Sequence, residues 1–287
     1  MINLAIHISV KLNKYSGNVH IPSGSVMSFF SLFDAITSAV TDVIQDMAGT
    51  EDAGVTVGMG ADGTPTKAID KVAEEIIFSH LRDADACGEV ISEEAGRCSI
   101  ADADGVIILD PIDGTYNAIH GIPYYAISAA YMEEGEVLSA YISNLGHHEV
   151  FTATRDGGAF LNNQSIHVSD VCELNAATVS LYGKRHHIEQ ITPIANTARR
   201  WRHLGASALE LAYIGCGRID AFVDMRGTLR YTDAAAGILI CEEAGGRVTS
   251  VSGENVHFSE DVREGRAIVA TNGYLQDEVC TCLEISG

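Results

Sequence analysis

Apolar residues recur at three- and four-residue steps in several stretches of the chain, a period that predicts amphipathic helices. The first such stretch covers residues 31–49 and ends at a glycine; its apolar positions are Phe33, Ile36, Val40, Val43, Ile44 and Met47. Further helices are predicted for residues 67–81, 188–199, 206–214, 233–244 and 275–283. The helices therefore occur along the whole chain from residue 31 onward.

Short apolar runs between the helices predict β-strands. They cover residues 89–92, 106–109, 124–131, 137–143, 149–154, 158–161, 177–181, 219–224 and 267–271. Four of the strands form two antiparallel pairs with turns at residues 133–136 and 155–157. The glycine-rich residues 54–66 are predicted to be a loop that can lie over a functional site. Alternating helices and strands of this kind predict layered α/β structure.

Composition narrows the class of protein. The chain has 287 residues, 46% of them hydrophobic, which is enough for a sizeable core in one or two domains. With 39 acidic against 18 basic residues its net charge is −21, which argues against a nucleic-acid partner. Seven cysteines without Cys-x-x-Cys spacing predict reduced thiols and a cytoplasmic protein, and no apolar run approaches the ~20 residues of a membrane span. Residues 1–26 lack a clear period and are predicted to be an extension or an incorrectly assigned start.

The segment Asp110-Pro111-Ile112-Asp113-Gly114-Thr115 carries the clearest chemical signal. It follows the apolar run 106–109, so two carboxylates come at the end of a buried strand. Oxygen ligands of this kind suit hard cations, and backbone N–H groups after a glycine turn can bind an anion. The alternative is a Pro-Asp-Gly turn without function.

Two further acidic segments have the same character. Glu93 and Glu94 end a short apolar strand, and Asp233 opens an apolar helix. Taken singly, the first pair fits a solvated turn and Asp233 fits a helix N-cap. Their occurrence together with the segment around Asp110 favours a shared metal and phosphate site.

In their order, these segments resemble the hallmarks of the inositol monophosphatase family of magnesium-dependent phosphatases. The resemblance includes an upstream element at residues 62–70, covers residues 30–285, and is greatest to archaeal members that hydrolyse both inositol monophosphates and fructose-1,6-bisphosphate. It implies an α/β fold, a five-layer αβαβα sandwich, over residues 27–287, with halves at 27–175 and 176–287. It also implies a homodimer that acts on a small phosphate ester.

The resemblance implies the following metal ligands, which are carried over motif by motif. One Mg²⁺ would be held by Glu93, Asp110 and the carbonyl oxygen of Ile112, and a second by Asp110, Asp113 and Asp233. Glu94 would assist from outside the ligand set or from a third, weaker ion.

The family pattern also assigns the attacking water. Thr115 would orient it, with Asp70 accepting a hydrogen bond from the Thr115 hydroxyl, and Glu93 would share in catalysis. The amides of Gly114 and Thr115 would bind the phosphate.

Substrate binding is assigned to Asp113, Gly114, Thr115, Arg202, Ser207 and Arg226. Arg226 stands where animal inositol monophosphatases carry an acid that binds inositol, and arginine suits a second phosphate. Arg230 lies behind it. The sequence departs from the family at Tyr231-Thr232, where a Trp is usual, and this change is expected to alter packing and not metal binding.

The expected function is therefore hydrolysis of fructose-1,6-bisphosphate, inositol-1-phosphate or both, in carbohydrate metabolism and gluconeogenesis, by water activated between two Mg²⁺ ions. Two alternatives remain: a 3′(2′),5′-bisphosphate nucleotidase, and a catalytically silent regulator that binds metal or phosphate. The second would be expected to lack metal ligands, and every predicted carboxylate is present.

Overall fold

The structure is a computed structural model that describes residues 26–183 and 188–284. Within these ranges the α-helices are α1 Val26–Ile44, α2 Ala68–Asp83, α3 Thr115–Ile119, α4 Ile188–Thr197, α5 Ser207–Gly215, α6 Tyr231–Glu243 and α7 Gln276–Glu284. The first ten strands are β1 Thr56–Met59, β2 Pro65–Lys67, β3 Glu89–Ser92, β4 Gly96–Ser99, β5 Val106–Asp113, β6 Ala126–Glu133, β7 Glu136–Asn144, β8 Glu149–Thr154, β9 Gly158–Leu161 and β10 Gln164–Ser165. The remaining strands are β11 Thr178–Tyr182, β12 Arg200–Arg202, β13 Ala221–Leu229, β14 Arg247–Ser250 and β15 Arg266–Thr271.

Most strands belong to two mixed sheets. The larger sheet has eight strands in the order β10-β9-β8-β7-β6-β5-β3-β4, and the smaller has five in the order β12-β11-β13-β15-β14. Strands β1 and β2 form a separate hairpin. In the larger sheet β5 pairs in parallel with β3 and antiparallel with β6, so it lies inside the sheet.

Helices cover both faces of both sheets. One apolar cluster joins α1 and α2 to the larger sheet, and α5 and α6 fill the space between the two sheets with two more. A fourth cluster joins α4 and α7 to the outer face of the smaller sheet. The order of layers is therefore helix, sheet, helix, sheet, helix, which confirms the five-layer αβαβα prediction.

Strand β5 shows why the apolar pattern predicted buried strands. Ile107 and Leu109 point into the cluster beneath α1 and α2, whereas Ile108 points into the cluster beneath α5 and α6. A strand covered on both faces needs apolar residues at consecutive positions and not only at alternate ones. The run at residues 106–109 meets this requirement.

Several predicted bounds were wrong. The loop predicted at residues 54–66 contains the hairpin of β1 and β2, which the sequence did not signal because β1 is exposed along its length. Strand β5 continues through Asp113, since Asp110 and Asp113 still pair with β6 across an irregularity in the register. Helix α1 ends at Ile44, five residues before the predicted glycine. Strands β4, β12 and β14 were missed because they are short and polar.

The predicted extension at residues 1–26 lies outside the described residues, apart from residue 26. The larger sheet ends at Ser165 and the smaller begins at Thr178. The predicted division at residues 175 and 176 falls between them and stays a prediction. The seven cysteines all lie within the described residues and form no disulfide bond there. None of the described helices is long and apolar enough to cross a membrane.

Candidate active site

The predicted site residues meet in a cleft of about 490 Å³. The predicted residues that line it are Glu93, Asp110, Ile112, Asp113, Gly114, Thr115, Ser207, Arg226 and Asp233. Three others, Asp70, Glu94 and Arg202, are not among the lining residues. Arg230, which the sequence placed behind Arg226, also lines it, as do Asp62 and Arg263, which the sequence did not assign.

Three carboxylates from three chain segments form the centre of the cleft. Glu93 lies in the turn between β3 and β4, Asp110 lies in β5, and Asp233 lies in the first turn of α6. One oxygen from each lies within 4.8 Å of the others. Carboxylate oxygens that converge at this spacing suit Mg²⁺, which prefers hard oxygen ligands. The residues present therefore fit a divalent cation.

Burial and repulsion from neighbouring acids raise the pKa values of Glu93 and Asp110. Burial is the main reason that the pKa of Glu93 rises to about 7; Arg230 opposes the rise, and Asp233 adds to it. Burial also raises the pKa of Asp110 well above its usual range, with further repulsion from Glu93 and Asp113. A bound cation would favour the charged forms and reverse these shifts.

Arg230 supplies positive charge at the centre of this group. Its guanidinium Nη2 lies 2.5 Å from Glu93 Oε1 and 3.0 Å from Asp233 Oδ1, and its Nη1 contacts Asp62. The Arg230 side chain is only 19% exposed. A single arginine thus joins the hairpin turn that carries Asp62, the turn after β3 and the start of α6.

Asp113 binds a helix start and does not belong to the group of three carboxylates. Its Oδ1 accepts the N–H of Ser207 at 2.9 Å, and its Oδ2 accepts the N–H groups of Ala208 at 2.8 Å and Leu209 at 3.3 Å. These contacts satisfy backbone groups that the first turn of α5 cannot satisfy itself. Oδ1, which accepts one N–H, keeps a further lone pair, so the role of Asp113 as a metal ligand stays a prediction.

The Thr115 hydroxyl lies at the other side of the cluster. It donates to Asp70 Oδ1 at 3.0 Å and lies equally close to the carbonyl oxygen of Ile112, at 3.0 Å. The predicted contact between Thr115 and Asp70 is therefore present in the structure. Burial, followed by repulsion from Glu93 and Glu94, raises the pKa of Asp70 well above its usual range.

Gly114 makes the turn between β5 and α3. Its φ is +87°, which favours glycine. A Cβ atom at this position would also lie 3.0 Å from the carbonyl oxygen of Tyr124 and 3.0 Å from the Ala206 Cβ. The chain can therefore turn from Asp113 to Thr115 at this point only without a side chain.

Glu74 positions the turn that carries Glu93, and sequence reasoning missed it. It is buried in α2, where its Oε1 accepts the Ser92 hydroxyl at 2.6 Å and the Ala95 N–H at 3.0 Å. An available signal was an acid within the otherwise apolar face of the helix, four residues after Asp70. Glu94, on the same turn, accepts the Thr66 hydroxyl.

Arg226 lines the cleft from β13. Its guanidinium forms three contacts with the fully buried Asp224, at 3.0, 3.1 and 2.5 Å, and stacks 4.2 Å from the centre of the Tyr182 ring. The Tyr182 hydroxyl donates in turn to the buried Glu210 of α5. Arg226 is therefore held in one orientation, and its Nη1 has no hydrogen-bond partner among the described residues.

Two other positions clarify the sequence expectations. Arg202 lies in the exposed strand β12 and donates to the carbonyl oxygen of Trp201 at 2.9 Å, so the structure does not bring it into the cleft. Tyr231 stacks on Phe258 with 5.4 Å between the ring centres. Tyr231 does not line the cleft, and the expected effect of its difference from the usual Trp on packing stays a prediction.

Comparison with known proteins identifies the family of the chain. The profile of the inositol monophosphatase family matches residues 30–286. The fructose-1,6-bisphosphatase/inositol-1-monophosphatase of Methanothermobacter thermautotrophicus is 38% identical over 262 residues, which cover 86% of this chain and 93% of that protein. The bifunctional NADP phosphatase/NAD kinase of Methanococcus maripaludis is 31% identical over 85% of this chain, but the match covers only 47% of that protein.

A solved structure is also similar. It is a hypothetical protein of Pyrococcus horikoshii with similarities to inositol-1 monophosphatase, with a TM-score of 0.80 and 34% identity over 92% of this chain and 99% of that one. A family match over almost the whole described chain shows membership. The chain therefore belongs to the inositol monophosphatase family, whose members are phosphatases.

Proposed function

We propose that this member of the inositol monophosphatase family is a Mg²⁺-dependent phosphate monoester hydrolase that acts on fructose-1,6-bisphosphate and inositol-1-phosphate. The observation that supports it most is the convergence of Glu93, Asp110 and Asp233 to within 4.8 Å in the cleft that Arg226 also lines. The same cavity thus contains carboxylates suited to metal ions and an arginine suited to a phosphorylated substrate. A cytoplasmic location and a homodimer stay predictions.

Glu93, Asp110 and Asp233 would hold two or three Mg²⁺ ions, together with Asp113 and the carbonyl oxygen of Ile112. When bound there, Mg²⁺ neutralises charge on the phosphoryl oxygens and lowers the pKa of a bound water. The predicted number of ions and the share of each ligand are parts of this proposal.

The chain's own groups would orient the reactants. The Thr115 hydroxyl donates a hydrogen bond to Asp70, and its oxygen still has a lone pair. That oxygen would accept a hydrogen bond from the attacking water. The amides of Gly114 and Thr115 would donate to the phosphate, since both residues line the cleft. Glu74 holds the turn of Glu93 in place.

Arg226 supports a substrate with a second phosphate. Asp224 and Tyr182 fix its guanidinium. Its Nη1 has no hydrogen-bond partner among the described residues, so it can donate to an anion. Losing a charged hydrogen bond costs about 1.5–3 kcal/mol, or roughly one to two powers of ten in kcat/KM. We expect Arg226→Ala to lower kcat/KM for fructose-1,6-bisphosphate by this factor and to change kcat/KM for inositol-1-phosphate much less.

Release of phosphate from both substrates, with Mg²⁺ and with a chelator, tests the proposal. Asp110→Asn should abolish Mg²⁺-dependent turnover. The matched control is Asp220→Asn, because Asp220 is similarly buried but binds the Thr178 N–H and the Ser169 hydroxyl, and it does not line the cleft. The control should lower stability and keep turnover per folded molecule. Normal turnover in Asp110→Asn at saturating Mg²⁺ would contradict the proposed metal site.

A nucleotide phosphate is a second candidate substrate. The similarity to a relative named as an NADP phosphatase favours it, although this chain matches less than half of that protein. The two candidates are separated by a panel that adds NADP and 3′-phosphoadenosine 5′-phosphate to the sugar and inositol phosphates. A higher kcat/KM for either nucleotide would transfer the proposal to nucleotides.

A further inference from the structure

Arg230 occupies the place where the candidate site would be expected to hold a cation. Its Nη2 lies within 3.0 Å of an oxygen of Glu93 and of an oxygen of Asp233. The Nε of Arg230 also donates to Asp233 Oδ2 at 3.1 Å. These two carboxylates are two of the three whose oxygens converge to within 4.8 Å. The guanidinium therefore lies between the same groups that would bind Mg²⁺.

The other lysines and arginines of the described residues do not form ion pairs with these carboxylates. Among the described residues, Asp62, Glu93 and Asp233 form ion pairs with Arg230 and with no other lysine or arginine. Arg226, on the wall of the same cleft, is paired with Asp224. In residues 26–183 and 188–284, the positive charge paired with the acidic group is thus that of Arg230 alone.

A guanidinium and a Mg²⁺ ion compete for the same two carboxylates. A carboxylate oxygen can accept a hydrogen bond and ligate a metal together, but Mg²⁺, which needs its oxygen ligands at about 2.0–2.1 Å, repels a positive charge held beside those oxygens. Arginine keeps its charge at all physiological pH values, so it cannot relieve this repulsion by losing a proton. Binding of Mg²⁺ therefore favours movement of the Arg230 side chain away from Glu93 and Asp233.

The third contact adds a consequence for the hairpin turn. Asp62 is almost fully buried on its side chain, and besides Arg230 it accepts only the N–H and hydroxyl of Thr64 among the described residues. Departure of Arg230 would leave Asp62 as a further uncompensated carboxylate beside Glu93. A second cation would then be favoured in the same space, because buried charges require pairing.

We propose that Arg230 is an internal counter-cation that offsets part of the negative charge of the metal-free site and is displaced when Mg²⁺ binds. The protein exchanges one cation for another, so that Glu93 and Asp233 keep a positively charged partner in both states. Arg230 thereby stabilises the metal-free protein and weakens its affinity for metal. This inference rests on the proposed function only in taking Mg²⁺ as the ion.

The test measures Mg²⁺ affinity by calorimetry on the full chain after chelator treatment, at mildly alkaline pH, together with the melting temperature of the metal-free protein. Arg230→Gln should bind Mg²⁺ roughly ten- to a hundredfold more tightly, because a charged contact no longer competes. Its metal-free form should melt at a lower temperature. Arg230→Lys keeps one charge without the fork of donors and should give intermediate values.

Arg226→Gln is the matched control. It removes the same charge from the same cleft, but from a guanidinium paired with Asp224. We expect a much smaller gain in Mg²⁺ affinity. An equal gain in both variants would assign the effect to the general field of the cleft and would overturn the inference.

The remaining outcomes also decide. If the parent and Arg230→Gln bind Mg²⁺ equally, or if the variant binds more weakly, Arg230 does not compete with metal and only this inference fails. If the parent and every variant give no binding signal for Mg²⁺, the metal of the proposed function fails as well. Should Arg230→Gln not fold, Arg230→Lys answers the same question by the same two measurements.

Discussion

Helices α2 and α6 begin with the same local arrangement but contribute differently to the site. Each has a basic residue just before its first turn, and three residues later an aspartate that accepts the backbone N–H of that basic residue. The N–H of Lys67 donates to Asp70 at 3.3 Å, and the N–H of Arg230 donates to Asp233 at 3.0 Å. Both aspartates satisfy a donor that the helix cannot satisfy and favour its positive end.

The difference lies in what surrounds each start. The Lys67 ammonium points outward and donates to the Thr56 hydroxyl at 3.0 Å, whereas the Arg230 guanidinium turns inward to Glu93 and Asp233. Asp70 receives the Thr115 hydroxyl and stays outside the group of three carboxylates. The same helix-starting pattern can therefore hold a threonine hydroxyl in one place and a guanidinium in another, and only the neighbouring elements decide which.

The largest expected effect comes from Asp233→Asn. Losing a metal ligand removes several kcal/mol of transition-state stabilisation, on the order of a thousandfold in kcat. Thermal unfolding of the metal-free variant should change by much less, since an amide oxygen still accepts the Arg230 N–H. Phosphate release at saturating Mg²⁺ is the measurement, and a kcat within tenfold of the parent would remove Asp233 from the ligands.

Asp70→Asn removes the matching carboxylate from α2. Here we expect a loss in kcat of about a hundredfold, the lower range for a positioned proton acceptor. The affinity for Mg²⁺ should stay close to that of the parent, because Asp70 lies outside the carboxylate cluster. Calorimetry on both variants measures the difference in Mg²⁺ affinity between them. An equal loss of Mg²⁺ affinity in the two would contradict different roles for Asp70 and Asp233.

The response of the metal-free protein to pH is a smaller effect. The pKa of Glu93 is raised from 4.5 to about 7, and the pKa values of Asp70 and Asp110 are raised as well. The folded state therefore binds these protons more tightly than the unfolded chain, so stability falls as pH rises through this window.

Melting temperature measured with a chelator should thus fall by several degrees between about pH 4.5 and 7, as each kcal/mol corresponds to about 2–4 °C. Adding Mg²⁺ at the upper end should reverse the fall. A melting temperature that rises across this range in the chelator would show that other groups dominate.

The smallest effect is expected for Lys67→Gln. Among the described residues its ammonium contacts only the exposed Thr56, so the free energy of unfolding should change by less than about 0.5 kcal/mol. Mg²⁺ affinity should be unchanged. Denaturant unfolding of the metal-free protein is the measurement, and a loss as large as that of Arg230→Gln would mean that the two helix starts are equivalent after all.

Local patterns in the sequence determined individual helices and strands and the carboxylates of the candidate site. Consecutive apolar residues predicted β5, and three- and four-residue spacing predicted α2 almost to its bounds. The motifs around Glu93, Asp110 and Asp233 predicted the three carboxylates that the structure brings together. These features could be predicted because burial imposes a period on neighbouring residues, and because a turn or helix start needs particular residues at fixed offsets.

The tertiary structure decided how charges far apart in the chain are paired. Arg230 contacts Asp62 across 168 positions of sequence, and Asp113 begins α5 at a distance of 94 positions. Neither contact can be predicted from local sequence, because the residues next to an arginine in the chain do not distinguish a buried arginine from an exposed one. Which acids pair with an arginine, and which accept the N–H groups of a helix start, depends on how the layers bring strand ends and helix starts together.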